Sequence, residues 1–372
     1  MPHSYELLKR EIIDEKLCTL CGACEAACPT GALSVTEQGH KQLFDCSTVI
    51  DHCDICYSVC PHTGELLEEV YREYVKAAPQ VLEGVGRYHK IVAARSEFAD
   101  IRDLTKGGGV ATTLLVCAIE NRLVDTVAAS ETEEVESVQV PLKWKIPIVP
   151  DYLPSMLEVR FHPAAVARAY GYAVYGYEKA KIAFIGIPCH MTALRKLVAW
   201  KHRIAENLKL AIGLFCLWTF STHRVLDGIL KELGITREAI KRVEVKKDVI
   251  FHTREKTLEV PLEKIWARVL EGCKLCADFT ASLADISVGW THPLPRDWSL
   301  VIIRSEVGEK LVQMAVEQGF IQVREVEQEV LNELKREALK KIELAEREVK
   351  RRLQADEKLH SAFSHMKNVL TE

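Results

Sequence analysis

The sequence predicts an α/β core that follows a small, cysteine-rich α+β domain and precedes a helical C-terminal extension. Eight of the thirteen cysteines lie within residues 1–65, a segment without long periodic apolar runs. From residue 88 to 315, short apolar runs typical of strands alternate with helical patterns, as in an α/β fold. We therefore divide the chain into a domain at 1–65, a linker at 66–87, a core at 88–315 and an extension at 316–372.

The composition is typical of a globular protein, with 48% hydrophobic and 27% charged residues. No apolar run approaches the roughly 20 residues that a membrane helix needs, so direct membrane insertion is not expected. The first nine residues lack the basic region and apolar stretch of a secretory signal. We expect a cytoplasmic protein that would meet a membrane complex only through a partner.

The first cysteine motif has the form C-x2-C-x2-C-x3-C-P and consists of Cys18, Cys21, Cys24, Cys28 and Pro29. In a reducing compartment such spacing is typical of metal or redox sites, not of disulfides. The three close thiolates of this motif wrap one 4Fe-4S cluster, and the fourth reaches a neighbouring cluster. The alternative, a structural zinc site, has paired C-x2-C hooks. The motif therefore predicts a ferredoxin-like domain at 1–65.

A second motif repeats the C-x2-C-x3-C-P ending but lacks its first cysteine, because Ile50 occupies that position. Cys46, four residues earlier, is the candidate substitute ligand. The alternative for Cys46 is an ordinary small buried residue. With the usual crossover, the two motifs predict one cluster bound by Cys18, Cys21, Cys24 and Cys60, and another bound by Cys28, Cys46, Cys53 and Cys56.

Four more cysteines are scattered through the predicted core: Cys189, Cys216, Cys273 and Cys276. Strands are predicted at 90–94, 126–129, 181–186 and 209–216, with helices at 112–121 and about 191–200. Cys189 and Cys216 end predicted strands, and strand ends converge on one edge of an α/β sheet. The four cysteines thus predict a third 4Fe-4S cluster. The alternative is a redox-active C-x2-C pair with two inert cysteines. Cys117, inside a predicted helix, is expected to be a packed core thiol.

A glycine loop precedes the helix predicted at 112–121. Flexible backbone and hydroxyl groups at a helix N-terminus suit a phosphate, although most glycine runs make plain turns. The loop residues are Lys106, Gly107, Gly108, Gly109, Val110, Ala111, Thr112 and Thr113.

At this point the sequence resembles the beta subunits of coenzyme F420-reducing hydrogenase and F420H2 dehydrogenase. The resemblance rests on five motifs in order and spans most of residues 88–315. They are residues 106–115, residues 120–125, residues 186–190 with 193–196, residues 213–216, and residues 273–280 continuing through 284–289. The N-terminal ferredoxin-like fusion looks like the dehydrogenase type.

The resemblance implies a core that binds FAD beside one 4Fe-4S cluster and exchanges a hydride with coenzyme F420. It implies that the glycine loop binds the flavin. Between residues 138 and 177 the chain departs from the family, because Arg160 and the three residues after it replace a Gly-Ser-Lys-Tyr-like segment. We expect Arg160 to stand in as the basic coenzyme contact; a solvated surface arginine is the alternative.

Charge is unevenly distributed along the chain. Residues 1–65 contain four Lys or Arg and ten Asp or Glu, a net charge of −6 against +2 for the rest. This acidity argues against nucleic acid and favours docking on a basic redox subunit, within a hetero-oligomeric dehydrogenase, hydrogenase or reductase complex.

Two further functional alternatives follow from the same features. The scaffold also resembles ferredoxin-dependent reductases that act on chlorophyll derivatives, so a reductase of another organic substrate is one alternative. The other is an electron-transfer subunit without catalytic activity.

The C-terminal extension carries apolar residues three or four positions apart among balanced charges, which predicts one long amphipathic helix or a broken pair. Such a helix either caps the core or docks a partner. The apolar positions are Val326, Val330, Leu334, Ala338, Ile342, Ala345, Val349 and Leu353.

Overall fold

A computed structural model describes most of the chain in atomic detail. The described residues are 4–36, 39–75, 78–105, 108–129, 148–149, 165–220, 223–236, 239–245, 248–354, 367 and 370.

The cysteine-rich segment consists of short helices around one hairpin. Helix α1 (Ser4–Leu8) continues into a π-helical turn (Lys9–Ile13), and α2 (Ala23–Ala27) and α3 (Ile55–Ser58) follow cysteine loops. Strands β1 (Leu33–Thr36) and β2 (Gly39–Gln42) pair antiparallel. A 3₁₀ turn (Cys46–Thr48) starts at Asp45, whose carboxylate accepts a hydrogen bond from the Ser47 N–H. This α+β arrangement agrees with the predicted fold class of the segment.

The segment predicted as a linker is itself folded. It contains α4 (Leu67–Val70), a π-helical turn (Tyr71–Val75) and the antiparallel hairpin of β3 (Gln80–Leu82) and β4 (Gly86–Tyr88). Val70 and Val85 are fully buried. Whether 65 and 88 delimit separately folding units stays a prediction.

The core is a mixed α/β fold around one large sheet. Its strands, in chain order, are β5 (Lys90–Ser96), β6 (Thr126–Ala128), β7 (Ile148–Val149), β8 (Ile182–Gly186), β9 (Leu208–Leu214), β13 (Ile286–Gly289), β14 (Ser299–Ile303) and β15 (Ile321–Arg324). Their spatial order is β15-β5-β14-β13-β9-β8-β6-β7. From β13 to β7 all neighbours are parallel, and from β15 to β13 they are antiparallel. The predicted strands all lie in this sheet.

Helices cover both faces of the sheet. They are α5 (Ala99–Thr105), α6 (Val110–Glu120), α7 (Val166–Tyr175), α8 (Pro188–Ala199) and α12 (Glu306–Glu317). Helix α8 begins three residues before the predicted start, because Pro188 occupies its first turn, where the missing N–H costs nothing.

A smaller antiparallel sheet follows β9 and α9 (His223–Glu232). It consists of β10 (Ile240–Val245), β11 (Asp248–Thr253) and β12 (Thr257–Pro261), and the chain then forms α10 (Leu262–Trp266) and α11 (Glu271–Lys274). The sequence analysis did not predict this unit.

The C-terminal extension contains one helix, α13 (Gln328–Gln354), after the edge strand β15. The core sheet therefore extends past the predicted boundary at 315. Val330, Leu334, Ala338 and Ala345 are all buried, packed against the core. The apolar face of α13 is thus covered by the protein itself, as expected for a capping helix.

The cysteine-rich segment and the core share one apolar interior. Leu8, Ala26 and Val59 belong to the same buried cluster as Tyr170 of α7 and Leu194 of α8. The backbones approach closely, since a Cβ on Gly171 would lie 3.0 Å from the Cβ of Ala26. The cysteines of the two regions are consequently held in a fixed relation.

Candidate iron-sulfur centres

Group I consists of Cys18, Cys21, Cys24 and Cys60, the first predicted ligand set. Cys21 and Cys24 lie at the start of α2, and Cys60 follows α3. The thiol of Cys24 interacts electrostatically with Cys21, Cys18 and Cys60. Burial raises the pKa of Cys60 to about 12, opposed by the His62 N–H and Lys196 and reinforced by Cys18. The fold thus brings these four thiols together.

Group II consists of Cys28, Cys46, Cys53 and Cys56. Burial raises the pKa of Cys56 to about 12, and the nearby thiols of Cys53, Cys28 and Cys46 add to that effect. All four cysteines line one small pocket that is partly open to solvent. Cys46 therefore lies where the missing ligand of the second motif is needed, although its sequence position is irregular.

Group III lies at the carboxyl ends of two neighbouring parallel strands. Cys189 follows β8 in the first turn of α8, Cys216 follows β9, and Cys273 and Cys276 flank the end of α11. The thiol of Cys189 interacts electrostatically most strongly with Cys21 of group I and then with Cys273, Cys216 and Cys276. Residues separated by up to 87 positions meet here because β8 and β9 end at the same sheet edge.

The three groups form a series, with group I in the middle. Cys24 of group I interacts with Cys56 of group II, and Cys189 of group III interacts with Cys21 of group I. The backbones of groups I and III also touch, since a Cβ on Gly272 would lie 2.1 Å from the carbonyl oxygen of Leu17. A path therefore leads from the sheet edge through group I to the cavity of group II.

Hydrogen-bond donors surround the sulfur atoms. Ser4 Oγ lies 3.1 Å from Cys56 Sγ and already accepts a bond from the Tyr57 N–H, so its own O–H is available to the sulfur. Thr219 Oγ1 lies 3.2 Å from Cys273 Sγ, and the Leu20 N–H donates to Cys18 Sγ at 3.4 Å. Such donors stabilise thiolates, the form that binds metal.

His40 is a further partner of group I. Its Nε2 lies 3.3 Å from Cys24 Sγ, and its ring stacks on Tyr5. Burial lowers the pKa of His40 to about 4, so the ring is neutral near pH 7. Nδ1 is buried without a hydrogen-bond partner in the described part of the chain, so the tautomer with a proton on Nε2 fits, and this proton points to the sulfur.

Each group offers four thiols, the ligand set of a 4Fe-4S cluster. Among the described residues, which include all thirteen cysteines, no three His, Cys, Asp or Glu side chains lie close enough to share one metal ion. The choice of a cluster over zinc stays a prediction, which rests on the spacing of the first motif.

Two buried lysines lie against the cysteine groups. Lys196 of α8 donates to the carbonyl oxygens of Cys60 and Thr63 at 2.6 and 2.7 Å. Lys341 of α13 donates to the carbonyl oxygens of Cys216 and Asp278 at 2.7 and 2.5 Å. Burial lowers the pKa of Lys196 to about 7, an effect that Cys60 and Glu65 oppose. Lys341 thus places positive charge beside group III, and Lys196 in its protonated form places positive charge beside group I. Neither role was predicted from the sequence.

Cys117 lies apart from the three groups. It is fully buried in α6, and its Sγ is 3.6 Å from the side-chain amide of Asn121. Burial raises its pKa to about 11. It is a packed thiol, as expected.

The glycine loop leads into α6 through Gly109, whose φ of +68° suits glycine. The Thr113 hydroxyl is satisfied within the protein, since its oxygen lies 2.7 Å from Ser96 Oγ and 2.9 Å from the Gly109 carbonyl oxygen. The Thr112 hydroxyl, in the first turn of α6, makes no hydrogen bond to any described residue. Of the two hydroxyls, only that of Thr112 lacks a hydrogen bond within the described residues.

Gly108 is required by packing. A Cβ there would lie 2.4 Å from Ser299 Oγ and 2.5 Å from Ser299 N. The other predicted cofactor contacts, Lys106, Gly107 and Arg160, lie outside the described residues.

None of the helices in the described ranges combines the length and apolar character needed to cross a membrane.

A model of the 4Fe-4S binding domain matches residues 11–34, around the first cysteine motif. Fold and site together define the class: an iron-sulfur protein of the oxidoreductase type built on a mixed α/β sheet.

Two models of coenzyme F420 hydrogenase/dehydrogenase beta subunits match further parts of the chain, the N-terminal model residues 91–142 and the C-terminal model residues 179–329. The chain belongs to this family.

Relatives cover most of the chain. The beta subunit of coenzyme F420 hydrogenase from Methanothermobacter thermautotrophicus is 28% identical over 66% of this chain and 87% of its own length. A subunit of the F(420)H(2) dehydrogenase from Methanosarcina mazei is 26% identical over 82% of this chain and 84% of its own length. The coenzyme F420-dependent sulfite reductase of Methanocaldococcus jannaschii is 26% identical over 95% of this chain but only 53% of its own length.

A chain from the F420-reducing NiFe hydrogenase complex of Methanosarcina barkeri has a similar structure. The TM-score is 0.64 at 25% identity, and the match covers 76% of this chain and 99% of that chain.

Proposed function

We propose that this protein exchanges a hydride with coenzyme F420 at a bound FAD and relays single electrons through three 4Fe-4S clusters to or from a partner redox complex. The observation that carries the proposal is the series of three four-cysteine groups between the core sheet and the surface. A deazaflavin gives or takes a hydride, clusters pass single electrons, and a flavin does both.

The glycine loop would hold the pyrophosphate of FAD. The first turn of α6 offers unpaired backbone N–H groups, the favourable end of the helix dipole and the Thr112 hydroxyl. Lys106, Gly107 and Arg160 are proposed as further contacts. The loop is connected to group III through the core sheet. It leads into α6, and α6 is followed by β6. Strand β6 pairs with β8, and Cys189 follows the end of β8.

Electrons would then pass from group III through group I to group II. Cys189 and Cys21 interact electrostatically between the first two groups, and Cys24 and Cys56 between the last two. The reduction potential of a cluster is set by hydrogen bonds to its sulfurs and by nearby charge. His40 supplies such a hydrogen bond, and Lys196 and Lys341 supply charge. We assign to these three residues the adjustment of the cluster reduction potentials.

The partner would dock on the acidic 1–65 region, where group II ends the series. A net charge of −6 on this segment favours encounter with a basic surface. The named relatives are subunits of hydrogenase and dehydrogenase assemblies, which supports a hetero-oligomer.

An assay with reduced coenzyme F420 tests the proposal. Anaerobically purified protein should oxidise the coenzyme with an artificial acceptor whose reduction potential is higher than that of the coenzyme, and the Cys117→Ser variant should match its rate. If the coenzyme stays reduced while dithionite still reduces the clusters, the protein is a reductase of another substrate or a non-catalytic electron carrier.

A further inference from the structure

The loop that carries Cys46 presents an exposed apolar surface. Leu43, Phe44 and Val49 are 55%, 44% and 62% exposed, within seven residues of one another. Large hydrophobic side chains at this density are unusual on a solvated loop and are typical of contact surfaces. We name these three residues the apolar patch.

An acidic rim accompanies the apolar patch. Asp45, Asp51 and Asp54 are all exposed, and residues 43–54 contain no Lys or Arg. Asp45 caps the 3₁₀ turn of Cys46, whereas no hydrogen bond or ion pair of the Asp51 or Asp54 side chain is seen in the described part of the chain. Apolar centre and charged rim together have the composition of a protein-binding surface.

The patch shares its loop with two residues that line the pocket of group II. Cys46 and Ile50, on the same loop, line the open cavity together with Cys28, Cys53 and Cys56. The rate of electron transfer falls steeply with distance, so a partner must dock where a cluster comes close to the surface. Group II is the end of the series away from the core sheet.

We infer that Leu43, Phe44 and Val49, with Asp51 and Asp54 at their rim, form the docking surface for a redox protein whose cofactor is exposed inside a ring of Lys and Arg. The inference deepens the proposed function by naming the contact surface of its partner. Opposite charge would steer the encounter, and the apolar patch would exclude water between the two centres.

Cytochrome c, with its lysine-rich rim around the haem edge, is a suitable probe. The protein is reduced with dithionite, freed of excess reductant and mixed rapidly with ferric cytochrome c. Each reduced cluster loses one electron and one ferric haem gains it. Because dithionite supplies the electrons, the test is independent of coenzyme F420.

Charge and apolar contact are tested separately. Asp51→Lys with Asp54→Lys should lower the bimolecular rate about tenfold at low ionic strength, and high salt should remove the difference. The matched control is Glu255→Lys with Glu259→Lys, on the exposed β11–β12 hairpin. Val49→Asn should weaken the complex at all salt concentrations, and its control is Val307→Asn, whose valine is 47% exposed.

Binding of oxidised cytochrome c by the oxidised protein gives a second readout without electron transfer, and it should rank the variants in the same order. The assignment would be overturned if the loop variants had the same rates and affinities as their controls. Failure of coenzyme oxidation, with these differences intact, would instead contradict only the proposed substrate.

Discussion

The ammonium of Lys196 donates a hydrogen bond to the carbonyl oxygen of Cys60 over 2.6 Å, inside the protein. It also bonds Thr63 O at 2.7 Å and Thr63 Oγ1 at 3.1 Å. No salt bridge to a carboxylate is seen for it within the described residues, and the groups that interact with its charge are Cys60, Glu65 and Cys21.

We therefore predict that Lys196→Met lowers the reduction potential of one cluster. Loss of the positive charge disfavours the reduced cluster, which is the more negative state. The reduction potential falls by about 60 mV for each 1.4 kcal/mol of stabilisation that the reduced state loses. A redox titration followed by electron paramagnetic resonance measures it. Lys341→Met should shift a different signal, and Lys310→Met, at an exposed lysine, should shift none. An unchanged potential in Lys196→Met, with its clusters present, would refute this role.

Cys46→Ser should remove one cluster only. The protein is predicted to contain FAD and about twelve iron atoms, and the variant about eight, because group II would keep three thiols. Anaerobic iron analysis with flavin quantitation is the measurement. Cys117→Ser, which changes a packed thiol outside the groups, should retain all the iron. Full iron content in Cys46→Ser would show that another residue is the ligand.

Thr112→Val should weaken FAD binding by about tenfold, the loss of one hydrogen bond to a charged group. Thr113→Val is the matched control, because that hydroxyl already bonds Ser96 and Gly109. It should lower stability by about 1–3 kcal/mol, with FAD affinity unchanged. Titration of flavin-depleted protein with FAD decides; equal affinities in the two variants would mean that the loop is only a turn. Bulk at Gly108 is a poor test, since it would clash with Ser299.

Sequence spacing predicted much of the site because cluster ligands follow local rules. The tight motifs assigned group I and most of group II, and the apolar runs before Cys189 and Cys216 marked the ends of β8 and β9. Cys46 does not fit the motif spacing, and it was a candidate only because Ile50 occupies the expected cysteine position four residues later. These cysteine assignments as cluster ligands stay a prediction.

Tertiary contacts explain what the sequence did not reveal. Lys196 and Lys341 occur at helical positions where a lysine is normally exposed, and only the fold shows them buried. The close approach of Ala26 and Gly171 likewise joins residues that lie far apart in the sequence. For that reason a protein shortened to begin near residue 88 would expose apolar surface of α7 and α8, and point substitutions are the cleaner test of partner docking.

The central claim is that coenzyme F420 and the clusters exchange electrons within this one chain. Rapid anaerobic mixing of the oxidised protein with reduced coenzyme F420, without any acceptor, tests it most directly through the absorbance of coenzyme and clusters together. We predict that the coenzyme is oxidised while the clusters bleach, with two electrons gained by the protein for each coenzyme molecule. Clusters that stay oxidised with the coenzyme, yet bleach with dithionite, would contradict the account.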